Sequence, residues 1–249
     1  MSGKYEGKVA VVTGGAKGIG RAVASRLASN GASVVIGDID DDLGTSTAAE
    51  INARFIHCDV AVEKDSADLM QFTVDTFGSL DIVHLNAGIA SGVTFGAANT
   101  IAAYKKIASI NLDGVVYGMD AAITQMLKLN GGKIIATASI AGLMGLSLDP
   151  FYTITKHGVV GLVRAVGPNY LNETRIEINA LCPSFVDTDI IAMAKEFLVQ
   201  ANFPILDVSD VADTFEMILE SDQSGNCWYV IPGRISEPFQ FRNIPGPSN

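Results

Sequence analysis

The sequence has few cysteines, and none of them is placed to pair. The three cysteines, Cys58, Cys182 and Cys227, lie far apart and lack the short paired spacing of metal ligands. This pattern argues against a disulfide-stabilised fold of the kind found in small secreted proteins. The three histidines also lack a mutual metal-ligand spacing, so no metal site is predicted. We expect a protein of the reducing cytoplasm.

Positive charge is also scarce. The chain of 249 residues has 17 Lys and Arg residues against 27 Asp and Glu residues, a formal net charge of −10, and no basic cluster. This balance excludes the classes of protein that bind nucleic acid or anionic membranes by neutralising phosphates. No apolar run approaches the roughly 20 residues of a membrane span, and residues 1–8 contain no apolar stretch of a signal peptide. We therefore expect neither a nucleic-acid nor a membrane partner.

What the sequence does contain is a regular alternation of short apolar runs and helix-length segments. The run at residues 9–12 is rich in β-branched residues, and Ile19, Val23 and Leu27 then recur at helical spacing. A second run, at residues 33–36, ends at Asp38. Further candidate strands lie at residues 54–57, 80–85, 133–138, 176–181 and 228–231. The alternation predicts an α/β fold, a Rossmann-type doubly wound parallel sheet flanked by helices.

The alternation also predicts one domain over residues 1–231, because no low-complexity linker or short repeat interrupts it. Half of the eight prolines follow the last candidate strand, at Pro232, Pro238, Pro245 and Pro247. Residues 232–249 are therefore predicted to be an extended tail that lies on the surface or on a partner subunit.

A glycine-rich turn, Thr13 to Gly20, separates the first candidate strand from the first helix. Glycines at this position let backbone N–H groups and the helix N-terminus approach a pyrophosphate, although a purely structural turn has a similar composition. Asp38 follows Gly20 by 18 residues and ends the second strand, where a carboxylate accepts hydrogen bonds from ribose hydroxyls and repels a 2′-phosphate. The alternative for Asp38 is a solvated residue in an acidic run. Lys17 would suit NADP, but no Lys or Arg directly follows Asp38, so NAD is predicted.

Three side chains are predicted to converge beside the nicotinamide end of such a cofactor. Tyr152 and Lys156 lie four residues apart on one face of a helix that starts near Pro150. Ser139 follows the strand at residues 133–138, at the sheet edge where doubly wound folds bind ligands. Alone, a Tyr and a Lys at this spacing are usually a surface pair. Together with Ser139, they predict acid–base chemistry on an alcohol.

The residue types suit that chemistry. A phenol has a reference pKa of about 10, and an ammonium group nearby, with the positive nicotinamide ring, favours the phenolate. Tyr152 would then take a proton from an alcohol, or donate one to a ketone. Ser139 would hold the substrate oxygen by a hydrogen bond that strengthens as charge develops.

These motifs, in this order, resemble the short-chain dehydrogenase/reductase family from Gly7 to about Ile231. The turn at residues 13–20, the segments Cys58-Asp59-Val60 and Asn86-Ala87-Gly88, and the gap of 13 residues from Ser139 to Tyr152 carry the likeness. The resemblance implies that Asn111 holds a water in a proton relay. It also implies a set of cofactor contacts: Gly14, Lys17, Gly18, Ile19, Gly20, Asp38, Asp59, Val60, Asn86, Ala87, Gly88, Tyr152, Lys156, Pro183, Val186 and Thr188.

Within the family, the chain resembles the NAD-dependent 15-hydroxyprostaglandin dehydrogenases and their fungal or bacterial relatives. Residues 139–144, 156–161 and 179–183 carry this likeness. It implies NAD-dependent oxidation of a secondary alcohol on an apolar substrate and a homodimer, with a tetramer as the second possibility. A biosynthetic ketone reductase would use the same residues. A family member with a non-redox role, as a cyclase or scaffold, is the third possibility.

Several positions depart from the family pattern. Leu85 replaces the first Asn of the usual Asn-Asn-Ala-Gly, the residues between Tyr152 and Lys156 are not small, and Ser184 replaces a glycine. Asp149 stands where the prostaglandin enzymes have a substrate-contacting Gln, and a carboxylate there disfavours an anionic group. The pair Gly167-Pro168 is expected to break the catalytic helix early.

A further apolar segment follows the sixth candidate strand. In the family it forms a mobile lid over the substrate, whereas its aromatic residues could equally belong to an ordinary core. A lid of this composition would imply an apolar substrate. The residues concerned are Phe185, Met193, Phe197 and Phe203.

Overall fold

Eight β-strands form a single sheet in the computed structural model, which describes residues 3–242. The strands are β1 (Val9–Thr13), β2 (Ser33–Asp38), β3 (Arg54–His57), β4 (Ile82–Leu85), β5 (Gly132–Thr137), β6 (Ile176–Pro183), β7 (Cys227–Val230) and β8 (Glu237–Pro238). They lie in the order β3-β2-β1-β4-β5-β6-β7-β8, and only β7 and β8 are antiparallel to each other. The strand order reverses between β1 and β4, where doubly wound sheets bind their ligands. The predicted fold class is confirmed.

Eight α-helices connect the strands. They are α1 (Gly18–Ser29), α2 (Asp41–Glu50), α3 (Glu63–Phe77), α4 (Thr100–Ala108), α5 (Gly114–Met126), α6 (Pro150–Thr174), α7 (Ala192–Gln200) and α8 (Val208–Glu220). A π-helical turn, Ser109–Asp113, joins α4 to α5. No helix within residues 3–242 is long and apolar enough to cross a membrane.

The sheet is covered on both faces, which explains its continuous apolar strands. All five residues of β1 are buried. Side chains of α3, α5 and α6 pack on one face, and those of α1 and α8 pack on the other. The predicted site residues that line the cavity lie mostly at the carboxyl ends of the strands and in the segments that follow them.

Helix α6, which carries two of the predicted catalytic residues, begins where the sequence predicts but ends later. It begins at Pro150 with Asp149 as its N-cap, a favoured start because proline suits the first helical position. The pair Gly167-Pro168 does not end it, so the prediction of an early break is wrong, and the helix continues to Thr174.

A tertiary contact explains why α6 passes its proline. The Ser224 hydroxyl donates a hydrogen bond to the Gly167 carbonyl at 2.9 Å. Gly225 lies so close that a Cβ on Gly167 would be 2.4 Å from the Gly225 nitrogen. The loop before β7 therefore packs against the helix at the point where proline removes a backbone donor.

The described part of the predicted tail joins the sheet. Strand β8 pairs with β7, and the Ser236 and Thr214 hydroxyls lie 2.7 Å apart in a buried contact. The Arg164 guanidinium lies 3.6 Å from the Phe241 ring centroid, so the tail also contacts α6. Pro245 and Pro247 fall outside the described residues, and the domain boundary at residue 231 stays a prediction.

Candidate active site

A cavity of about 1150 Å³ lies at the carboxyl edge of the sheet, beside the reversal in strand order. Its lining includes every predicted catalytic and cofactor residue except Gly20 and Asn111, which are not part of the wall. One end is formed by the glycine-rich turn and the ends of β2 and β4, and we refer to it as the cofactor end. The other end is formed by Phe185 and by the lining residues within 140–149 and 190–203, and we refer to it as the substrate end.

The glycine-rich turn needs glycine for two reasons. Gly14 and Gly18 have φ angles of +61° and +57°, in the left-handed region that disfavours other residues. The turn is also crowded, since a Cβ on Gly14 would lie 2.8 Å from the Ala87 Cα, and one on Gly20 would lie 2.1 Å from the Gly14 oxygen. Gly20 therefore shapes the turn without lining the cavity. The resulting narrow approach suits a pyrophosphate against the N-terminus of α1.

Asp38 contributes a half-buried carboxylate to the cofactor end. Its Oδ2 accepts a hydrogen bond from the Ala16 N–H at 3.0 Å, and its Oδ1 accepts one from the Asp40 N–H at 3.1 Å. The side chain thus fixes the glycine-rich turn against β2. A carboxylate oxygen can accept more than one hydrogen bond, so Asp38 retains capacity for a ribose hydroxyl.

Two further predicted residues follow β3. The Asp59 Oδ1 accepts a hydrogen bond from the Ala61 N–H at 3.0 Å, which closes a tight turn before α3. Val60 is buried, and a Cβ on Gly114 would lie 2.9 Å from its side chain. Both residues line the cavity beside Asp38, where an adenine ring would lie in this fold class.

Lys17 is paired across the cavity with a residue outside the predicted set. Its ammonium group lies 2.6 Å from the Asp189 carboxylate, and both side chains are exposed. The hydrogen bond with Asp189 is the main reason that the pKa of Lys17 is raised. The glycine-rich turn is therefore linked to the segment after β6.

A buried hydrogen-bond network lies beneath the cofactor end. The Asn86 amide donates to the carbonyls of Thr13 and Gly14, each at 3.2 Å. Its oxygen accepts from the Thr137 hydroxyl at 3.2 Å, and that hydroxyl lies 2.8 Å from the His84 Nε2. If the Thr137 hydroxyl donates to Asn86, His84 must donate through Nε2. The network holds the ends of β1, β4 and β5 in one arrangement.

Asn111 lies in the π-helical turn and is fully buried. Its amide oxygen accepts from the Ile89 N–H at 2.8 Å, and its amide nitrogen donates to the Ile89 carbonyl at 2.9 Å. A Cβ on Gly88 would lie 3.3 Å from the Asn111 oxygen and 3.6 Å from the Lys156 ammonium. Gly88 therefore lies between these two predicted residues.

The three predicted catalytic side chains meet at the centre of the cavity. The Lys156 ammonium lies 5.5 Å from the Tyr152 ring centroid and donates to the Thr137 carbonyl at 2.7 Å. Ser139 is buried, and its hydroxyl accepts from the Ala141 N–H at 3.1 Å and donates to the Pro183 carbonyl at 3.3 Å. One turn of α6 thus presents Tyr152 and Lys156 to the strand end that carries Ser139.

Burial dominates the acidity of this group. It raises the pKa of Tyr152 to about 12, a hydrogen bond with Ser139 opposes the increase, and the charge of Asp149 adds to it. Burial also lowers the pKa of Lys156 to about 8. The protein groups alone therefore do not lower the Tyr152 pKa as expected, because the Lys156 ammonium is bonded to a carbonyl and is itself destabilised by burial.

The remaining residues predicted to contact the cofactor lie at the end of β6 and after it. Pro183 ends the strand, and the Ser184 N–H donates to the Val230 carbonyl at 2.9 Å, so the replacement of glycine leaves this backbone anchored to β7. Val186 forms a bridge with Leu206, and the Thr188 hydroxyl donates to the Val186 carbonyl at 3.3 Å. These contacts place the segment beside the glycine-rich turn, since a Cβ on Gly18 would lie 3.3 Å from the Thr188 methyl group.

The substrate end is predominantly apolar. The rings of Phe185 and Phe203 pack edge to face with centroids 5.3 Å apart, and both line the cavity with Phe197. Phe197 is 63% exposed, so it belongs to the cavity wall and not to the core. The side chain of Met193, the fourth predicted residue, lies outside the described parts of the structure. The wall is continued by Ile140, Met144, Leu146, Leu148 and Ile190.

These features match known proteins. Residues 8–198 match the family described as short chain dehydrogenase. The chain belongs to this family. The predicted membership is therefore confirmed, and it supports a dehydrogenase or reductase role.

The short-chain dehydrogenase relatives include enzymes that are named for alcohols. The chain is 33% identical to the cyclohexanol dehydrogenase of Acinetobacter sp. (strain SE19), over 94% of this chain and 96% of that protein. It is 36% identical to the NAD(+) 15-hydroxyprostaglandin dehydrogenase of Bos taurus, over 87% of each chain. Among solved structures, levodione reductase superposes with a TM-score of 0.81 at 28% identity, over 88% of this chain and 93% of that chain.

Sequence reasoning missed several residues of this short-chain dehydrogenase site. Thr137, whose carbonyl accepts from Lys156, and His84 have no motif of their own. Asp189, the partner of Lys17, also lacks a local signal. The sequence singled out Asp149 but missed its capping role, which an Asp directly before a Pro at a helix start signals. No cluster of three or more His, Cys, Asp or Glu residues within residues 3–242 is arranged to hold a metal ion.

Proposed function

We propose that the protein is an NAD-dependent oxidoreductase that interconverts a secondary alcohol and a ketone on an apolar substrate. The observation that carries the proposal is the meeting of Ser139, Tyr152 and Lys156 in one cavity that also contains a glycine-rich turn. The apolar wall at the substrate end supports the choice of substrate.

The cofactor end fits a dinucleotide, because the glycines leave a cradle that side chains would fill. Gly14, Lys17, Gly18 and Ile19 would hold the pyrophosphate, with Gly20 keeping the turn compact. Asp38 would bind the adenosine ribose and Asp59 and Val60 the adenine. The nicotinamide end would be held by Asn86, Ala87, Gly88, Pro183, Val186, Thr188, Tyr152 and Lys156.

When bound, NAD would supply the hydride acceptor for oxidation of the alcohol carbon, and NADH would supply the hydride donor for reduction of the ketone carbon. Tyr152 is the acid–base residue, because its phenol stands in the cavity next to Ser139. It takes the alcohol proton in oxidation and donates it in reduction. Ser139 holds the substrate oxygen, and its donated hydrogen bond strengthens as the oxygen becomes negative.

Lys156 and Asn111 would assist the proton transfer by Tyr152. The Lys156 ammonium, held by the Thr137 carbonyl, contributes positive charge beside the phenol and would orient the ribose. Asn111, fixed by the Ile89 backbone and next to Gly88, would complete the path for the proton from Lys156 to solvent.

NAD is favoured over NADP. Asp38 lines the cofactor end, and its negative charge would repel a 2′-phosphate. The one lysine in the glycine-rich turn, Lys17, is already paired with Asp189. The relatives include NAD(+) enzymes, in agreement with this choice.

The experiment that tests the proposal is reduction of NAD, compared with NADP, across a panel of apolar secondary alcohols that includes cyclohexanol, terpenols and steroids. Tyr152→Phe is expected to reduce kcat by about 1,000-fold or more, because it removes the proton acceptor. NADH binding, followed by fluorescence, should stay within about twofold. Undiminished turnover by Tyr152→Phe contradicts the role of this residue.

Adding the matching ketones with NADH to this panel separates the other functional classes. A protein that reduces the ketones but oxidises none of the alcohols at saturating NAD would act as a biosynthetic reductase. A protein that binds NADH and turns over neither would have a non-redox role. We further propose a cytoplasmic homodimer, with a tetramer as the alternative, and sedimentation of a monomer would contradict it.

A further inference from the structure

The charged groups of the cavity are unevenly distributed. Its wall contains two ammonium groups, of Lys17 and Lys156, and six carboxylates. Lys17 is bonded to Asp189 beside the glycine-rich turn, and Lys156 is bonded to the Thr137 carbonyl beneath Tyr152. The described residues that line the substrate end include no Lys, Arg or His. Lys195, in the same stretch of chain, does not line the cavity, and its ammonium lies 2.5 Å from the Asp187 carboxylate. An anionic substrate would therefore find no counterion there.

The substrate end has a buried carboxylate instead. Asp149 is only 7% exposed and lines the cavity next to Leu148 and Tyr152. Its Oδ1 accepts from the Tyr152 N–H at 2.9 Å and from the Ser91 hydroxyl at 2.6 Å. Its Oδ2 accepts from the N–H groups of Ser91 at 2.7 Å and Gly92 at 3.2 Å. All four partners are donors, which is the pattern of an anionic acceptor.

None of the four donors to Asp149 carries a formal charge, so its negative charge is not neutralised by a cation among residues 3–242. The N-terminus of α6 supplies only a partial positive charge. The Asp149 charge also acts on the Tyr152 phenol, since it contributes to the raised pKa of Tyr152.

We propose that the substrate end accepts uncharged alcohols and rejects alcohols that carry a carboxylate, and that Asp149 sets this discrimination. The inference rests on the proposed function for the position of the substrate. It adds that Asp149, the N-cap of α6, and not the apolar wall, determines whether a negatively charged substrate is accepted. A buried like charge at close range opposes binding, whereas an ester or amide of the same shape avoids the penalty.

The test uses a matched pair of probes, 4-hydroxycyclohexanecarboxylate and its methyl ester. They share the ring and the secondary alcohol and differ in charge. For the unmodified protein, kcat/KM for the ester should exceed that for the acid by roughly 30- to 100-fold, as expected for two charges about 6 Å apart at an effective dielectric of about 20. Binding of both probes to the protein with saturating NADH, measured by calorimetry, provides a readout that does not need turnover.

Two variants separate charge from structure. Asp149→Asn removes the charge and retains an oxygen that caps α6, so the ester-to-acid ratio should fall to about fivefold or less. Asp149→Glu retains the charge but alters the hydrogen bonds to Ser91 and Gly92, so it should keep most of the discrimination. Melting temperatures and NADH affinities of both variants report whether the fold persists, and Asp149→Ser, which also caps a helix, replaces Asn if that variant unfolds.

The outcomes are distinct. A ratio near one in the unmodified protein, failure of the ester to bind, or an unchanged ratio in the neutral variant overturns the inference. Loss of the discrimination in Asp149→Glu as well as in Asp149→Asn assigns it to the loop geometry and also overturns it. Equal turnover of acid and ester leaves the proposed function standing without the inference. Selective ester binding without any turnover leaves the inference standing and contradicts the proposed function.

Discussion

The two ends of the cavity are built in different ways. At the cofactor end, the side chains of Asp38 and Asn86, at the ends of β2 and β4, bond to backbone groups of the glycine-rich turn. At the substrate end, the wall is made of apolar side chains on loops and α7, and several are largely exposed, with Met144 at 60% and Phe197 at 63%. The comparison shows that hydrogen bonds within the protein preorganise the cofactor end. At the substrate end, the exposed apolar side chains would be buried only by contact with a bound substrate.

The largest difference between the two ends is expected from Asp38→Asn, which should change the cofactor preference and leave the substrate end unaffected. Removing the negative charge abolishes the repulsion of a 2′-phosphate and weakens the bond to the ribose. The ratio of kcat/KM for NAD to that for NADP should fall about 100-fold, while the order of preference among alcohols stays unchanged. Initial rates with both cofactors provide the measurement.

Asp42→Asn is the matched control for the cofactor prediction, because Asp42 lies in the same acidic run and is exposed. It should leave the cofactor ratio unchanged. An equal fall in both variants would mean that general surface charge, and not the position of Asp38, selects the cofactor.

An intermediate effect is expected on stability, from the buried His84 beneath the cofactor end. Burial lowers its pKa to about 3, from 6.5 in the unfolded chain. Below pH 6.5 the unfolded state therefore binds a proton that the folded state does not, and the stability present above that pH is lost as pH falls towards 3. Between pH 6.5 and 5 this group alone lowers the free energy of unfolding by about 2 kcal/mol.

Urea denaturation of His84→Gln at the two pH values measures this loss, since Gln keeps a donor for the Thr137 hydroxyl but does not titrate. The variant should lose less stability on acidification than the unmodified protein. His157→Gln, a change at an exposed histidine, should behave like the unmodified protein. Identical acid sensitivity of His84→Gln and the unmodified protein would show that the buried imidazole is not responsible.

The smallest effect is expected at the substrate end, from Phe197→Ala. The ring loses its contact with an apolar alcohol, so KM should rise by about five- to tenfold with little change in kcat. Affinity for NADH should not change, because the ring lies in the wall of the other end. Steady-state kinetics with cyclohexanol and NADH titration give the two values.

Val199→Ala provides the matched change on α7, because Val199 is 59% exposed and does not line the cavity. Its KM should stay that of the unmodified protein. An equal rise in KM for both variants would indicate a general effect on α7, and a weakened NADH affinity in Phe197→Ala would show that the two ends are not independent.

Local patterns were enough to predict most of the fold. The continuous apolar run of β1 and the glycine-rich turn before α1 each depend only on residues that are adjacent in the sequence. The structure places both within one or two residues of the expected bounds. The four-residue spacing of Tyr152 and Lys156 likewise required only the period of a helix. The expected end of α6 failed because a loop from elsewhere in the chain packs against Gly167.

The sequence by itself determined the order of strands and helices, the glycine-rich turn and the residues that meet around Ser139, since each depends on short-range spacing. Only the tertiary structure decided how these residues are charged and held. The bond from Asp149 to Ser91 spans 58 residues, and the pair of Lys17 and Asp189 spans 172. No local period relates residues so far apart, and burial, which sets the pKa of Tyr152 and Lys156, arises only when the sheet and its helices pack together.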